Sequence, residues 1–335
     1  MKSIKRHITL PALAITALTI VSCGGGGGDG GGTSSNPISL TASNAKPVSA
    51  EILDSSDTVQ GTTAGPAILT RGAVNPEASD FNFPEFVVQQ LAQVQALGTP
   101  PNTTLAGAII SPYTYSCTSS GQFTLSGNDA DGSGDLTAGD SVTLAFASCI
   151  ESGVSVNGSI SMTITQLTGD IINAPYTLGV DVTLTNLSVS VSGHSATSNG
   201  DMSMLIAEDG SQNQTFELSG NSLTSWVLGQ RETLTNYLYE FALNENTGAY
   251  SFSLQGTFAN TTIGGSVTYT TVTPFTGTDP NDPTAGELHI VGSGGSQAWL
   301  TADPGGSVVY IDVDADGDGT AETQITTSWA ELDSL

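Results

Sequence analysis

From Leu105 to the C-terminus the apolar positions recur with a period of two. Ile160, Met162 and Ile164 alternate with Ser and Thr, as do Leu178, Val180, Val182 and Leu184, and then Met202, Met204 and Ile206. Phe252 and Leu254 continue the pattern, and Val308 and Tyr310 carry it close to the C-terminus. Strict alternation is the signature of strands with one buried and one polar face. Asn157-Gly158, Asn199-Gly200, Gly264-Gly265 and Gly294-Gly295 fall between apolar runs and predict short turns. A short motif also recurs, Asn157-Gly158-Ser159-Ile160-Ser161-Met162 against Asn199-Gly200-Asp201-Met202-Ser203-Met204. The expectation is a mainly β domain over 105–335. It holds about twelve to sixteen antiparallel strands, arranged as a large β-sandwich or a curled, barrel-like sheet.

Upstream, residues 38–104 carry little periodicity and are expected to be irregular apart from one helix near 83–97. Phe83, Val87, Leu91 and Val94 recur at helical spacing, Asn82 can cap, and Pro84 and Glu85 suit a first turn. Gly98 and Pro100-Pro101 stop it. Such a helix is expected to pack on the sheet or to plug its open end.

Residues 1–22 have the form of a secretory signal. Lys2, Lys5 and Arg6 precede a short apolar stretch, Leu10 to Val21, too short to span a bilayer. It ends in Ile20-Val21-Ser22-Cys23, which resembles the lipobox of bacterial lipoprotein precursors, with Ile where Leu is usual. The resemblance implies cleavage before Cys23, acylation of that cysteine and attachment to a membrane through the lipid. Gly24, rather than Asp, then implies the outer membrane of the cell envelope. Gly24 to Pro37 forms a glycine-rich tether, so residues 23–37 make up the anchor and linker.

Charge narrows the possible partners. The chain has 6 Lys+Arg against 32 Asp+Glu, a net charge of -26, and cleavage would leave only Lys46, Arg71 and Arg231 as basic side chains. A nucleic acid needs a basic stripe, so it is excluded as a partner. Aromatics make up 6% of the chain, too few for the girdles of a membrane-spanning barrel.

The densest chemistry lies in Asp129-Ala130-Asp131-Gly132-Ser133-Gly134-Asp135-Leu136-Thr137-Ala138-Gly139-Asp140. This segment resembles the calcium loop of EF-hand proteins, which takes oxygens from positions 1, 3, 5, 7, 9 and 12 around a Gly at 6. The resemblance implies Asp129, Asp131, Ser133, the carbonyl of Asp135, Thr137 and Asp140 as calcium ligands, with Asp in place of the usual Glu at the end. The flanks are strand-like rather than helical, so it implies structural binding and not helix opening. A second stretch places Asp314, Asp316 and Asp318 at positions 1, 3 and 5, with Gly319 at 6. Its twelfth residue is Ile325, which cannot ligate, while Glu322 at position 9 can. The alternative for both is a solvated acidic turn held by Asx hydrogen bonds.

Cys117 and Cys149 bracket the first loop and are expected to form a disulfide in an oxidising envelope. Phe123 and Leu125 are odd-numbered while Val142, Leu144 and Phe146 are even, so pairing 117 with 149 requires one bulge, placed at Ser119-Ser120-Gly121. Enzyme signatures are poor. Gly193-His194-Ser195-Ala196-Thr197 lacks the final Gly of a nucleophile elbow, and His194 and His289 are the only histidines after residue 22. The expected role is non-catalytic: surface binding or adhesion, with a protein or glycan partner, or envelope structure. The rivals are a carrier of a lipid or other apolar ligand in the curled sheet, and a carbohydrate-active enzyme using paired carboxylates beside Trp226 or Trp299.

Overall fold

A computed structural model describes residues 36–60, 87, 91, 108–117, 119–151, 154–171, 173–191, 194–227 and 230–335. Residues 1–22, Cys23 and most of the tether lie outside them, as does all of the 83–97 helix except Val87 and Leu91. Those two residues are helical and fully buried, four apart on one face as the spacing requires.

Fourteen strands form one antiparallel sheet in which every strand pairs with its neighbours in sequence, and the sheet is not closed into a barrel. The strands are β1 (Ala108–Ser116), β2 (Ser120–Asp129), β3 (Ser141–Glu151), β4 (Val154–Asp170), β5 (Asn173–Val191), β6 (His194–Glu208) and β7 (Asn213–Val227). They continue with β8 (Gln230–Asn244), β9 (Ala249–Asn260), β10 (Gly265–Thr278), β11 (Ala285–Val291), β12 (Gln297–Ala302), β13 (Val309–Asp314) and β14 (Thr323–Thr327). The strands thus join into one continuous open sheet rather than two separate ones.

The period of two becomes one buried face. Val142, Met162, Val182 and Met202 sit opposite one another across β3 to β6, and Ile164, Val180, Met204, Leu218, Tyr239 and Leu254 form a second row across β4 to β9. All are buried. Each such side chain contributes roughly 1.5–3 kcal/mol when taken out of water. The other face carries hydroxyls that pair across strands, among them Thr143 with Ser161 at 3.0 Å and Thr224 with Thr233 at 3.2 Å.

Two Asn-Gly pairs expected as turns lie inside strands instead, which makes β4 and β6 long. They explain the repeated motif. Asn157 Oδ1 accepts from the amide of Ser148 at 2.7 Å, and Asn199 Oδ1 accepts from the amide of Asn186 at 2.7 Å. Ser148 and Asn186 are left-handed, with φ of 50° and 46°. A Cβ on Gly158 would stand 2.1 Å from the carbonyl oxygen of Asn186, and one on Gly200 would stand 2.2 Å from that of Ser222. Each Asn thus caps a bulge on the preceding strand while its Gly admits the backbone of the next strand. The register shifts line up from β2 to β7 as a crease, and bulges bend a sheet where they sit.

A helix also packs on the sheet where the sequence predicts irregular chain. Helix α1 (Ala45–Gln60) packs against β8, β13 and the short C-terminal helix α2 (Trp329–Leu332), so strands five apart in the sheet meet one helix. Ala45, Val48, Ile52 and Leu53 face the core. The buried face also holds Ser49 and Ser55, whose hydroxyls donate to the carbonyls of Ala45 (2.8 Å) and Ile52 (2.6 Å). Pro47 lies in the first turn, where no intrahelical donor is needed. Lys46 pairs with Glu331 of α2. An aromatic run crosses the inner face, Tyr239 to Phe252, Phe252 to Phe275 and Phe275 to Trp329, with ring centroids 6.4, 4.9 and 5.8 Å apart.

Candidate metal centres

The β2–β3 and β13–β14 connections are the two acidic loops. In a meander these connections fall at opposite ends of the sheet, here also next to its opposite edges. In each loop three or four acidic side chains bring ligand oxygens within 4.8 Å of one another: Asp129, Asp131 and Asp140 in the first, Asp314, Asp316, Asp318 and Glu322 in the second.

Their internal wiring is the same. The first carboxylate accepts two amides: Asp129 from Gly132 (2.6 Å) and Gly134 (2.9 Å), Asp314 from Gly317 (2.7 Å) and Gly319 (2.8 Å). The third position accepts from the fifth, Asp131 from Ser133 at 2.9 Å and Asp316 from Asp318 at 3.1 Å. The closing carboxylate accepts the second amide, Asp140 from Ala130 and Glu322 from Ala315, both at 2.8 Å. Glu322 thereby takes the place of Asp140 although it stands three positions earlier in its loop. The longer reach of Glu and the shorter loop compensate each other.

Burial separates the members of each set. Asp129, Asp140 and Asp314 are 6%, 3% and 0% exposed, whereas Asp131, Asp316, Asp318 and Glu322 face solvent. Taking a carboxylate out of water is costly unless hydrogen bonds or a cation replace the lost hydration. Among the described residues the only basic side chains are Lys46 and Arg231, and both are placed elsewhere, Lys46 on Glu331 and Arg231 over the Trp226 ring. Hydrogen bonds from Ser133, and then from Thr137, hold the Asp131 carboxyl below its ordinary range, so it stays anionic. Of the remaining expected ligands, Thr137 is in place, donating to Asp131 (3.1 Å) and Asp140 (3.2 Å). Ser133 donates to the Asp135 carbonyl at 3.1 Å, and the Asp135 carboxylate is not among the clustered acidic groups. Oxygen-only clusters of this kind can hold a hard metal ion.

The first loop is also tied to the sheet. Gly139 donates to the Ile164 carbonyl at 2.7 Å, and Ile164 donates to that of Asp140 at 2.8 Å. At the other end of the same hairpin the Cys117–Cys149 disulfide is formed, with Cα atoms 5.5 Å apart. The required irregularity falls between Ser120 and Gln122, at the expected glycine.

The His289 ring stacks on Trp299 at 5.1 Å and bonds Gln297 at 2.8 Å. The His194 side chain lies outside the described residues. One carboxylate pair that sequence reasoning missed joins α1 to the sheet: the Asn260 amide donates to Glu51 (2.8 Å) and to buried Glu232 (3.0 Å). No periodicity links residue 51 to 232, so only the fold brings them together. Comparison of the chain with protein-family models, curated proteins and solved structures finds no match.

Proposed function

We propose that this protein is a calcium-stabilised, non-catalytic β module of the bacterial cell envelope, held at the outer membrane by an acylated Cys23. The observation that carries the calcium reading is the shared wiring of two loops unrelated in position, each aiming a buried first carboxylate and a closing carboxylate at one point. Acidic turns without a cation have no need to bury Asp129, Asp140 and Asp314 beside the exposed carboxylates of Asp131, Asp316, Asp318 and Glu322. The lipobox supports the anchor, and the broad Ser/Thr face supports a role in surface binding, with a protein or glycan as partner, or in envelope structure.

Calcium titration of the mature protein by calorimetry tests the metal reading. Two sites of about 10⁻⁴–10⁻³ M are expected. Asp129→Ala with Asp131→Ala removes one, Asp316→Ala with Asp318→Ala removes the other, and absence of binding to the wild type refutes it. Fatty-acid labelling tests the anchor: the wild type is marked and Cys23→Ala is not, whereas equal labelling of the two refutes acylation.

A further inference from the structure

The chain enters the domain through residues 36–40, and backbone contacts fix the point of entry. Ile38 donates to the Ser266 carbonyl at 3.0 Å, and Ser266 donates to that of Asn36 at 3.1 Å, beside the β9–β10 turn. Ser293 of the β11–β12 turn donates to the Ile38 carbonyl at 2.7 Å. A Cβ on Gly265 would stand 2.3 Å from the Asn36 oxygen and one on Gly292 2.5 Å from that of Ile38, so the seat accepts backbone only. The β9–β10 turn is tied in its turn to the β7–β8 hairpin. Thr261 donates to the Arg231 carbonyl at 3.1 Å, and the Arg231 amide donates to Thr261 Oγ1 at 3.2 Å. The Arg231 guanidinium lies over the Trp226 ring, 5.6 Å from its centroid, and Trp226 is 41% exposed. Trp226 and the point of entry thus belong to the same end of the sheet.

Charge divides the two ends of the sheet. From β1–β2 through β11–β12 the connections at the entry end carry no charged residue, and Glu151 is the one acidic residue directly beside them. At the opposite end every connection holds an acidic residue or adjoins one: the Asp129–Asp140 loop, then Asp170, Asp209, Glu245, Asp279 and Asp303. The acidic β13–β14 loop is the exception at the entry end, and it belongs to the outermost hairpin. Strand β8 has 15 residues, so at about 3.3 Å per residue the two ends stand roughly 50 Å apart, about five Debye lengths at physiological salt. Residues 24–35 link Cys23 to the point of entry and span at most about 45 Å whatever their course. Anchoring at Cys23 therefore keeps the weakly charged end near the lipid, while anionic headgroups repel the acidic end and the β13–β14 edge. We propose that the β7–β8 and β9–β10 connections rest on a phospholipid surface, with Trp226 at the headgroup level beside the positive charge of Arg231. This contact rests on the acylation of Cys23 proposed above, which sets the end that meets the bilayer.

Fluorescence quenching tests the contact with the anchor point fixed by chemistry. The mature chain is coupled through the Cys23 thiol, its other two cysteines being joined to each other, to a maleimide phospholipid in vesicles of phosphatidylethanolamine and phosphatidylglycerol. Phospholipid brominated high on its acyl chains should quench the tryptophan emission of the wild type. Trp226→Phe should lose that quenching although Trp299 and Trp329 remain. In the Trp226→Phe background, Ser211→Trp places an indole in the exposed β6–β7 connection at the acidic end, and its emission should stay unquenched. Absence of quenching in the vesicle-coupled wild type, quenching that survives Trp226→Phe, or equal quenching from Ser211→Trp overturns the contact. Fatty-acid labelling decides the anchor separately. A labelled Cys23 without quenching overturns the contact and leaves the anchor standing, whereas an unlabelled Cys23 removes the anchor and the anchored contact with it.

Discussion

The carboxylate of Asp140 accepts the amide of Ala130 at 2.8 Å, closing the β2–β3 loop across ten residues. That bond converges the end of the loop on Asp129, so anionic charge gathers where β2 ends and β3 begins. The energy of this arrangement depends on what neutralises it.

Replacing chelator with millimolar calcium should therefore raise the melting temperature. A ligand bound only to the folded state at these affinities adds roughly 1 kcal/mol per site, or a few degrees in a domain of this size. Matched magnesium should do less. Asp129→Ala with Asp131→Ala should remove about half of the gain if both loops bind. Identical melting of the wild type in chelator and calcium would leave both loops as plain acidic turns.

The crease predicts a sharp contrast between two glycines. Gly158→Ala forces a Cβ to within 2.1 Å of the Asn186 carbonyl at a φ of 92° and should cost upwards of about 2 kcal/mol. Gly264→Ala, in the β9–β10 turn at a φ of 76° with nothing within 4 Å, should cost about 1 kcal/mol. Urea unfolding of both variants measures the difference, and equal losses would mean that the crease does not depend on the close approach.

Reduction of Cys117–Cys149 opens a loop of 32 residues. The chain-entropy model gives about 3–4 kcal/mol for a loop of that size. Non-reducing peptide mapping should recover one linked pair, and a Cys117→Ala, Cys149→Ala protein should unfold at correspondingly lower denaturant. Two freely alkylated thiols in protein purified from the envelope would refute the linkage.

Acidity acts on the C-terminal helix in the opposite sense to a salt bridge. Partial burial, with Asp282 and Asp54 nearby, pushes the Asp333 carboxyl up to about 6. A raised carboxylate pKa means that the folded state favours the neutral form. The contribution of Asp333 is thus fully present below about pH 4 and is lost as pH rises through about 6. Asp333→Asn should be more stable than the wild type at neutral pH, and the two should converge near pH 4. A constant difference across that range would refute the coupling.

The buried face was legible because Ile160, Met162 and Ile164, and their counterparts, obey a period that only a strand supports. The disulfide and the bulge beside it were legible for a similar reason, since a parity mismatch of one can be repaired only at a local irregularity. Helix α1 was not legible. Its inward stripe includes Ser49 and Ser55, which satisfy their own hydroxyls within the helix and so look polar to any pattern. Asn157-Gly158 and Asn199-Gly200 misled as turns because the same left-handed chemistry serves a hairpin and a bulge, and only the partner strand decides between them. The acidic loops were legible as clusters of carboxylates that could hold a metal ion. That Glu322 closes the second as Asp140 closes the first depends on how the shorter loop folds.

The unbroken strand order governs how the chain can assemble. Each strand's first partner is the one made just before it, so a chain emerging N-terminus first can add β2 to β1, β3 to β2 and onward without waiting for distant sequence. The earliest of the described residues are the exception. Residues 36–40 need β10 and the β11–β12 turn, and α1 needs β8, β13 and α2. Residues 36–60, made before every strand, are thus among the last to be seated, and a molecule truncated before β11 would carry a paired sheet with its inner face still open to capture by another chain.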